Sequence, residues 1–411
     1  MTEDNKAFRG RFLLAGGVVV FAIGQSLLFI IVAPMARTIG LSVQEFGLAF
    51  TIANITLLFA APYWGRRSDV IGRKPVFIIG LFGSAAGTLL MAVTLEIGLA
   101  GLLTTGWLFI CIVCSRAFYG ATASAIYPSA AAYIADVTDW SNRAKGMALI
   151  GSANSLGSIL GPMLGGGLAF LGVLVPMYAA AAISLAGAIA AVILLVEPAR
   201  HQQQNEARQK GSKSPSTLKP TDPRLRPYMI MWASFFTFFI SLNFVTAFYI
   251  EDKFGITETA AIMRTAGLAL FCMAAVITVL QGVVLQLIHV SPQFLLRLCG
   301  PSFSAALFTM AFAPSPSVLM IGFGLLGVAF ACANPGISGS ASMTMKPHEQ
   351  GAAAGYLAAA NTVGAIIGPV LGTSIYKLQP NAPMLFGAIF FVGISIYAFF
   401  IPLPRRDADD D

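Results

Sequence analysis

Few residues in this chain are placed to do chemistry. Its three histidines, His201, His289 and His348, stand far apart in sequence and outside the apolar runs, so they can neither share a metal nor relay a proton through a core. Five cysteines, Cys111, Cys114, Cys272, Cys299 and Cys332, all fall inside apolar runs. Cys111 and Cys114 form a C-x-x-C with no second pair and no nearby histidine, which reads as small core residues rather than a metal site. No Ser/His/Asp set and no phosphate-cradling glycine loop can be placed. An enzyme is therefore not expected, and neither is a metal or cofactor.

Arg116 is the most informative single residue. It sits near the middle of a long apolar run, where a charge costs about 2.5–3.5 kcal/mol on insertion scales. Such a residue usually faces a cavity and marks function. Gly120, Ala123 and Tyr127 follow at helical spacing, which predicts a groove with an open wall and a phenolic end. The structural alternative pairs Arg116 with backbone carbonyls. No Asp or Glu lies deep inside any apolar run, and the remaining polar groups there are neutral: Gln25, Asn54, Tyr119, Asn154, Asn243, Gln281, Asn334 and Asn361. A guanidinium without a carboxylate attracts an anion, and its planar fork suits one. The candidate set for substrate or proton coupling is Arg116, Gln25, Tyr119, Tyr127, Asn243 and Asn334, with an anionic or acceptor-bearing substrate docking between Arg116 and Gln25. In the rival account Arg116 assists proton movement, and a span-end acid (Asp136, Glu251 or Asp252) is protonated.

A second constellation is Gly65-Arg66-Arg67-Ser68-Asp69-Val70-Ile71-Gly72-Arg73-Lys74-Pro75. Two glycines permit a tight turn between apolar runs, and basic residues hold that turn at an interface. Asp69 calls for a cation or a helix N-terminus; the candidates are Arg143 and the segment near Gln350-Gly351. Asp136 either joins the Asp69–Arg73 charges or caps the turn toward Asp139, Arg143 and Lys145.

These groups need apolar helices to hold them. The 411 residues are 57% hydrophobic and 10% charged, against about 25% charged in a typical soluble domain. A span takes about 20 apolar residues, and on that basis twelve are predicted: 12–36, 43–65, 75–95, 102–135, 144–170, 174–196, 228–251, 263–288, 294–313, 317–344, 350–377 and 382–402. Of the 25 Lys and Arg, all but Arg37, Lys253, Arg264, Lys377 and the buried Arg116 fall on one side if both ends are cytoplasmic. That topology explains the net charge of +7 better than nucleic acid does. Segment 197–227 is polar and basic and reads as a flexible tether that adsorbs weakly to anionic lipid.

The chain also repeats itself. Asn154-Ser-Leu-Gly-Ser-Ile-Leu-Gly-Pro-Met-Leu-Gly165 returns as Asn361-Thr-Val-Gly-Ala-Ile-Ile-Gly-Pro-Val-Leu-Gly372. Gly120 and Pro128 return at the same offset as Gly327 and Pro335. Duplication of a half-chain unit predicts two six-span bundles, 1–196 and 228–411, with a cytoplasmic linker between. Gly157, Gly161 and Gly165 share one helix face, as do Gly364, Gly368 and Gly372, so each stripe lets a neighbouring helix approach closely. Pro162 tends to bend its helix.

In that setting the 65–75 loop resembles the signature loop of the major facilitator superfamily, matched at Gly65, Asp69, Gly72, Arg73 and Lys74. Arg67 departs from the usual apolar residue, and the matching loop of the second half has no acid. Arg116-Ala-Phe-Tyr-Gly120 resembles that superfamily's R-x-x-x-G element. Gly157, Gly161, Pro162, Gly165 and Gly166 are similar to the element marking its drug:proton antiporters. The resemblance implies an all-α integral membrane protein whose two pseudo-symmetric bundles alternate access. It implies that spans 1, 4, 7 and 10 line the cavity, that Asp69 works in an inner latch, which joins the two halves if its partner is the start of span 11 rather than Arg143, and that the glycine-proline element seals against leak; Asp136 and Arg143 are grouped with this gating loop. Gln25 stands where proton-coupled relatives are expected to carry an acid.

Two transporter functions compete. One is proton-driven export of a small amphiphilic molecule, a drug or a secreted metabolite such as a siderophore. The other is import of a small organic anion. A receptor or intramembrane enzyme has no supporting residues. The glycine-proline element favours export. The expected partners are substrate and membrane lipid, with no nucleic acid and no need of a second protomer. The expected location is a bacterial cytoplasmic (inner) membrane, crossed by a monomer with both termini inside.

Overall fold

The computed structural model describes residues 3–137, 140–197, 218–288, 290–346 and 349–401, and among them all regular structure is helical. The helices of the first repeat are α1 (Glu3–Thr38), α2 (Val43–Ile71), α3 (Arg73–Leu99), α4 (Thr105–Ala123), α5 (Ile126–Val137), α6 (Trp140–Leu168) and α7 (Val175–Leu194). Those of the second are α8 (Arg226–Phe254), α9 (Thr259–Val279), α10 (Pro292–Ala311), α11 (Pro316–Ala333), α12 (Gly339–Thr344), α13 (Gln350–Tyr376) and α14 (Ala382–Phe400). The chain divides into two compact units, Met1–Lys213 with Thr257–Gly267, and Ser214–Ile256 with Leu268–Asp411. Most of the expected linker, 198–217, lies outside the described residues, as do His201, His289, His348 and Asp139.

Among the described residues, eleven helical segments are long and apolar enough to cross a membrane. The expected twelfth, α6, is a continuous helix of 29 residues.

Inside lipid, helices gain little from burying apolar surface and depend on close packing. The glycine stripes supply it in both units with one geometry. A methyl group added to Gly157 would lie 2.3 Å from the Val19 carbonyl oxygen, 2.6 Å from Ala22 Cβ and 3.1 Å from the Ile23 nitrogen. One added to Gly364 would lie 2.8 Å from the Ala233 oxygen, 2.7 Å from Phe236 Cβ and 2.8 Å from the Thr237 nitrogen. Carbonyl, Cβ and amide thus stand at the same three steps along α1 and along α8. Gly161 and Gly368 continue the two contacts against Ile23 and Thr237, each too close for any side chain. The α1–α6 and α8–α13 crossings are therefore repeated elements.

A second crossing repeats too. A methyl at Gly120 would meet the Ala53 oxygen of α2 at 2.5 Å, and one at Gly327 the Met273 oxygen of α9 at 2.6 Å. Just beyond, both long spans break. The span 102–135 stops its α-helix at Ala123 and resumes at Ile126, two residues before Pro128. The span 317–344 widens into a π-turn at Asn334–Ser338, around Pro335. Proline lacks the amide that would continue the ladder, so carbonyls upstream must find other donors. Gln281 Nε2 donates at 3.2 Å to the Ala331 carbonyl, four residues before Pro335, and Trp64 Nε1 donates at 2.6 Å to the Ala121 carbonyl, which the Ala125 amide leaves by turning to Thr122. Each unit thus repairs its break with a side chain from the neighbouring span.

Candidate functional site

The α2–α3 turn holds the densest charge network. Gly72 has φ +104°, a left-handed value that favours glycine. Its amide donates to the Ser68 carbonyl at 3.2 Å and closes α2. Arg73, the first residue of α3, is 5% exposed. It pairs with Asp69 (Nη1–Oδ1 2.6 Å) and with Asp136 at the end of α5 (Nε–Oδ2 2.9 Å). Nη1 also donates to Ser68 Oγ at 2.7 Å. Asp136, 7% exposed, therefore belongs to the network rather than to a simple turn cap. Burial forces this pairing, because two buried opposite charges are tolerable only when joined and hydrogen-bonded.

Glu197, which follows α7, completes the turn and was not evident in the sequence. Its carboxylate accepts from the Arg73 amide at 2.6 Å and the Lys74 amide at 2.8 Å. Those are the orphan donors of the α3 N-terminus, where a negative charge is favoured. A methyl at Gly72 would press on that carboxylate at 3.0 Å, a second reason for glycine there. Lys74 Nζ donates to the Val192 carbonyl at 2.9 Å. Gly65 faces Pro128: an added methyl would lie 3.8 Å from Pro128 Cβ, an ordinary contact. The Arg143 side chain lies outside the described residues. In its sequence Glu197 is a lone acid where an apolar run meets a basic segment, 124 residues from Arg73, with no local sign of its partner.

Arg116 is 3% exposed on α4. Its guanidinium carbon stands 4.3 Å from the Phe50 ring centre of α2 and 4.9 Å from that of Tyr119, so two aromatic rings hold the cation. Nε has no hydrogen-bond partner. Tyr119 is itself 1% exposed and stacks on Phe21 of α1, centroids 6.3 Å apart and planes within 10°.

The expected open groove beside Arg116 is not formed. Gly120 is occupied by the α2 backbone and Ala123 is fully buried. The break at Ser124–Ala125 shifts the helical phase, leaving Tyr127 42% exposed beyond it. Gln25 is half-buried on α1. In the second unit Asn243 is buried and donates back to the Phe239 carbonyl at 2.7 Å, while Asn334 is exposed at the start of the π-turn. Of the glycine-proline element, Gly157, Gly161, Pro162 and Gly165 are buried and Gly166 half-buried. An added methyl at Gly166 would lie 3.6 Å from Gly267 Cα of α9. Among the described residues no group of three or more His, Cys, Asp or Glu could hold a metal.

Duplicated apolar helices, a buried arginine and a charge-locked turn define a multi-pass membrane transporter rather than an enzyme. The chain belongs to the Major Facilitator Superfamily, whose profile matches residues 14–315 and 290–411. It is 27% identical over 399 residues to multidrug resistance protein 2 of Bacillus subtilis, covering 93% of each chain. It is 25% identical over 427 residues to the class C tetracycline resistance protein of Escherichia coli, covering 98% of each. In fold it resembles the crystal structure of the nucleoside transporter NupG, with a TM-score of 0.70 at 15% identity over 97% of this chain and 99% of that one.

Proposed function

We propose that this protein exports small amphiphilic molecules, drugs or a secreted metabolite, from the cytoplasm by proton antiport with alternating access. The observation that carries the reading is end-to-end similarity to proteins named for multidrug and tetracycline resistance, in a chain bearing the glycine-proline element in both halves. Glycine crossings of one geometry in each unit suit two bundles that rock as rigid bodies. The Arg73–Asp69–Asp136 cluster, capped by Glu197, holds the inner turn of the first bundle, and Asp69 contributes to a latch that favours the outward-open state. Arg116, clamped between Phe50 and Tyr119 with Nε unmatched, offers a hydrogen bond to an acceptor on the substrate or serves proton coupling. The protein works as a monomer in a bacterial inner membrane with both termini inside, draws on the proton gradient and needs no cofactor.

The test is accumulation in cells. Cells expressing the protein should retain less of a fluorescent lipophilic dye than cells carrying an empty vector, and a protonophore should abolish the difference. Equal retention across a panel of cationic, neutral and anionic dyes would count against export of amphiphiles.

A further inference from the structure

Arg297 places a cation on the lipid-facing side of the second unit. Its helix, α10, begins at Pro292, so Arg297 stands about 8 Å along it, at the depth where headgroups give way to acyl chains. A close crossing fixes its position. A methyl group added to Gly300 would lie 2.5 Å from Ser395 Oγ and 3.2 Å from Ser395 Cα, so α10 and α14 touch there. One turn nearer the helix ends, that contact sets Arg297 beside Phe399, its guanidinium carbon 5.2 Å from the ring centre. Phe399 is 59% exposed, and Ile396 and Val392 continue the same face of α14 at 55% and 44%. Among the described residues no acid pairs with Arg297.

The first unit builds the same corner differently. Its third and sixth spans are α3 and α7; there Lys74 reaches the Val192 carbonyl at 2.9 Å, and Glu197, just past α7, supplies the negative charge. In the second unit α14 ends at Phe400, and the next acid in sequence is Asp407. The corner keeps a cation, and beside it runs an apolar face toward the bilayer centre. We propose that this α10–α14 groove binds an anionic phospholipid, with the phosphate on the Arg297 guanidinium and an acyl chain along Phe399, Ile396 and Val392. The planar fork matches two phosphate oxygens at once, and the Phe399 ring steadies it. A headgroup of net negative charge is favoured over a zwitterionic one, whose own ammonium competes with Arg297 for the phosphate.

Native mass spectrometry of the purified full chain tests this, in micelles holding equal amounts of phosphatidylglycerol and phosphatidylcholine with the same acyl chains. At low occupancy the first lipid retained should be phosphatidylglycerol by about fivefold, the contribution of one basic residue at an anionic surface. Arg297→Gln should bring that ratio close to unity. Arg66→Gln/Arg67→Gln, which removes two exposed cations of α2, should leave it unchanged. No preference in wild type, an undiminished one in Arg297→Gln, or an equal loss in the α2 variant would overturn the proposal. So would displacement of the lipid by millimolar inorganic phosphate, since the site would then take the free anion. A phosphatidylglycerol with a photoreactive group high on its acyl chain gives a reading that needs no variant to fold. It should label 396–399 of the wild type, and adducts confined to other helices would refute the site.

Discussion

Arg73→Ala should be among the most damaging single changes in the first unit, and its cost follows from the unequal burial of its two acids. The Asp136 side chain is 9% exposed and that of Asp69 43%. Removing the guanidinium leaves Asp136 as a buried charge without its partner, a situation that costs about 3–5 kcal/mol. Water can take over at Asp69, where an exposed pair contributes up to about 1 kcal/mol. Asp136→Asn alone should cost about 1–3 kcal/mol, since Arg73 keeps Asp69 and Ser68 and loses one charged acceptor. The double variant Arg73→Ala/Asp136→Asn then has no orphan charge, and it should be more stable than Arg73→Ala despite carrying an extra change. Unfolding by sodium dodecyl sulfate in mixed micelles, read by tryptophan fluorescence, measures all four proteins. If the double variant loses at least the sum of the two singles, the buried pair is not what holds this turn.

Other consequences can be measured in the same way or with small extensions. Glu197→Gln keeps an acceptor at the α3 N-terminus but removes its charge, which should cost about 0.3–1 kcal/mol, and Glu197→Ala should cost more. Gly157→Val and Gly364→Val should each destabilise by about 1–3 kcal/mol, because both crossings lack room. Gly151→Ala should be close to neutral, since nothing lies within 4 Å of an added methyl. Asp222, which precedes α8, is held below the usual carboxylate value by hydrogen bonds from Arg224, which also pairs with the buried Glu349 at 3.2 Å. A depressed carboxylate contributes stability above its unfolded value of about 3.9 and loses it as pH falls through the lower folded value. Protection factors at 218–226, with the intrinsic pH dependence of amide exchange divided out, should therefore stay constant from neutral pH down through mildly acidic conditions and fall only in strong acid. For Arg116, Lys retains charge but loses the planar stack on Phe50 and the fork, so Arg116→Lys should weaken substrate binding nearly as much as Arg116→Ala. If Arg116→Ala binds as tightly as wild type without a gradient, a coupling role remains and docking fails.

The fold was legible in the sequence because duplication records geometry. Gly157 and Gly364, or Gly120 and Gly327, keep one offset, and each pair proves to make the same close approach in its own unit. The break in the fourth span was not foreseen, although Pro128 carries a reason for it: it has no amide for the Ser124 carbonyl four residues back, and its ring crowds that carbonyl. Missing that break put Tyr127 on the wrong face and opened a groove beside Arg116 that α2 fills. The Arg73–Asp136 pair was one of two readings, since sequence spacing cannot distinguish a cap from a contact between helices. Glu197 was invisible for a different reason. Its role arises where the exit of α7 meets the start of α3, and nothing near it in sequence marks that meeting.

Inverted membrane vesicles test most directly whether the protein exports an amphiphile in exchange for protons. An imposed gradient, acidic inside, should drive uptake of substrate into vesicles containing the protein and alkalinise the lumen as substrate is added. Vesicles carrying Arg116→Ala should show neither effect. Uptake that is indifferent to the gradient, or that requires it reversed, would contradict the account.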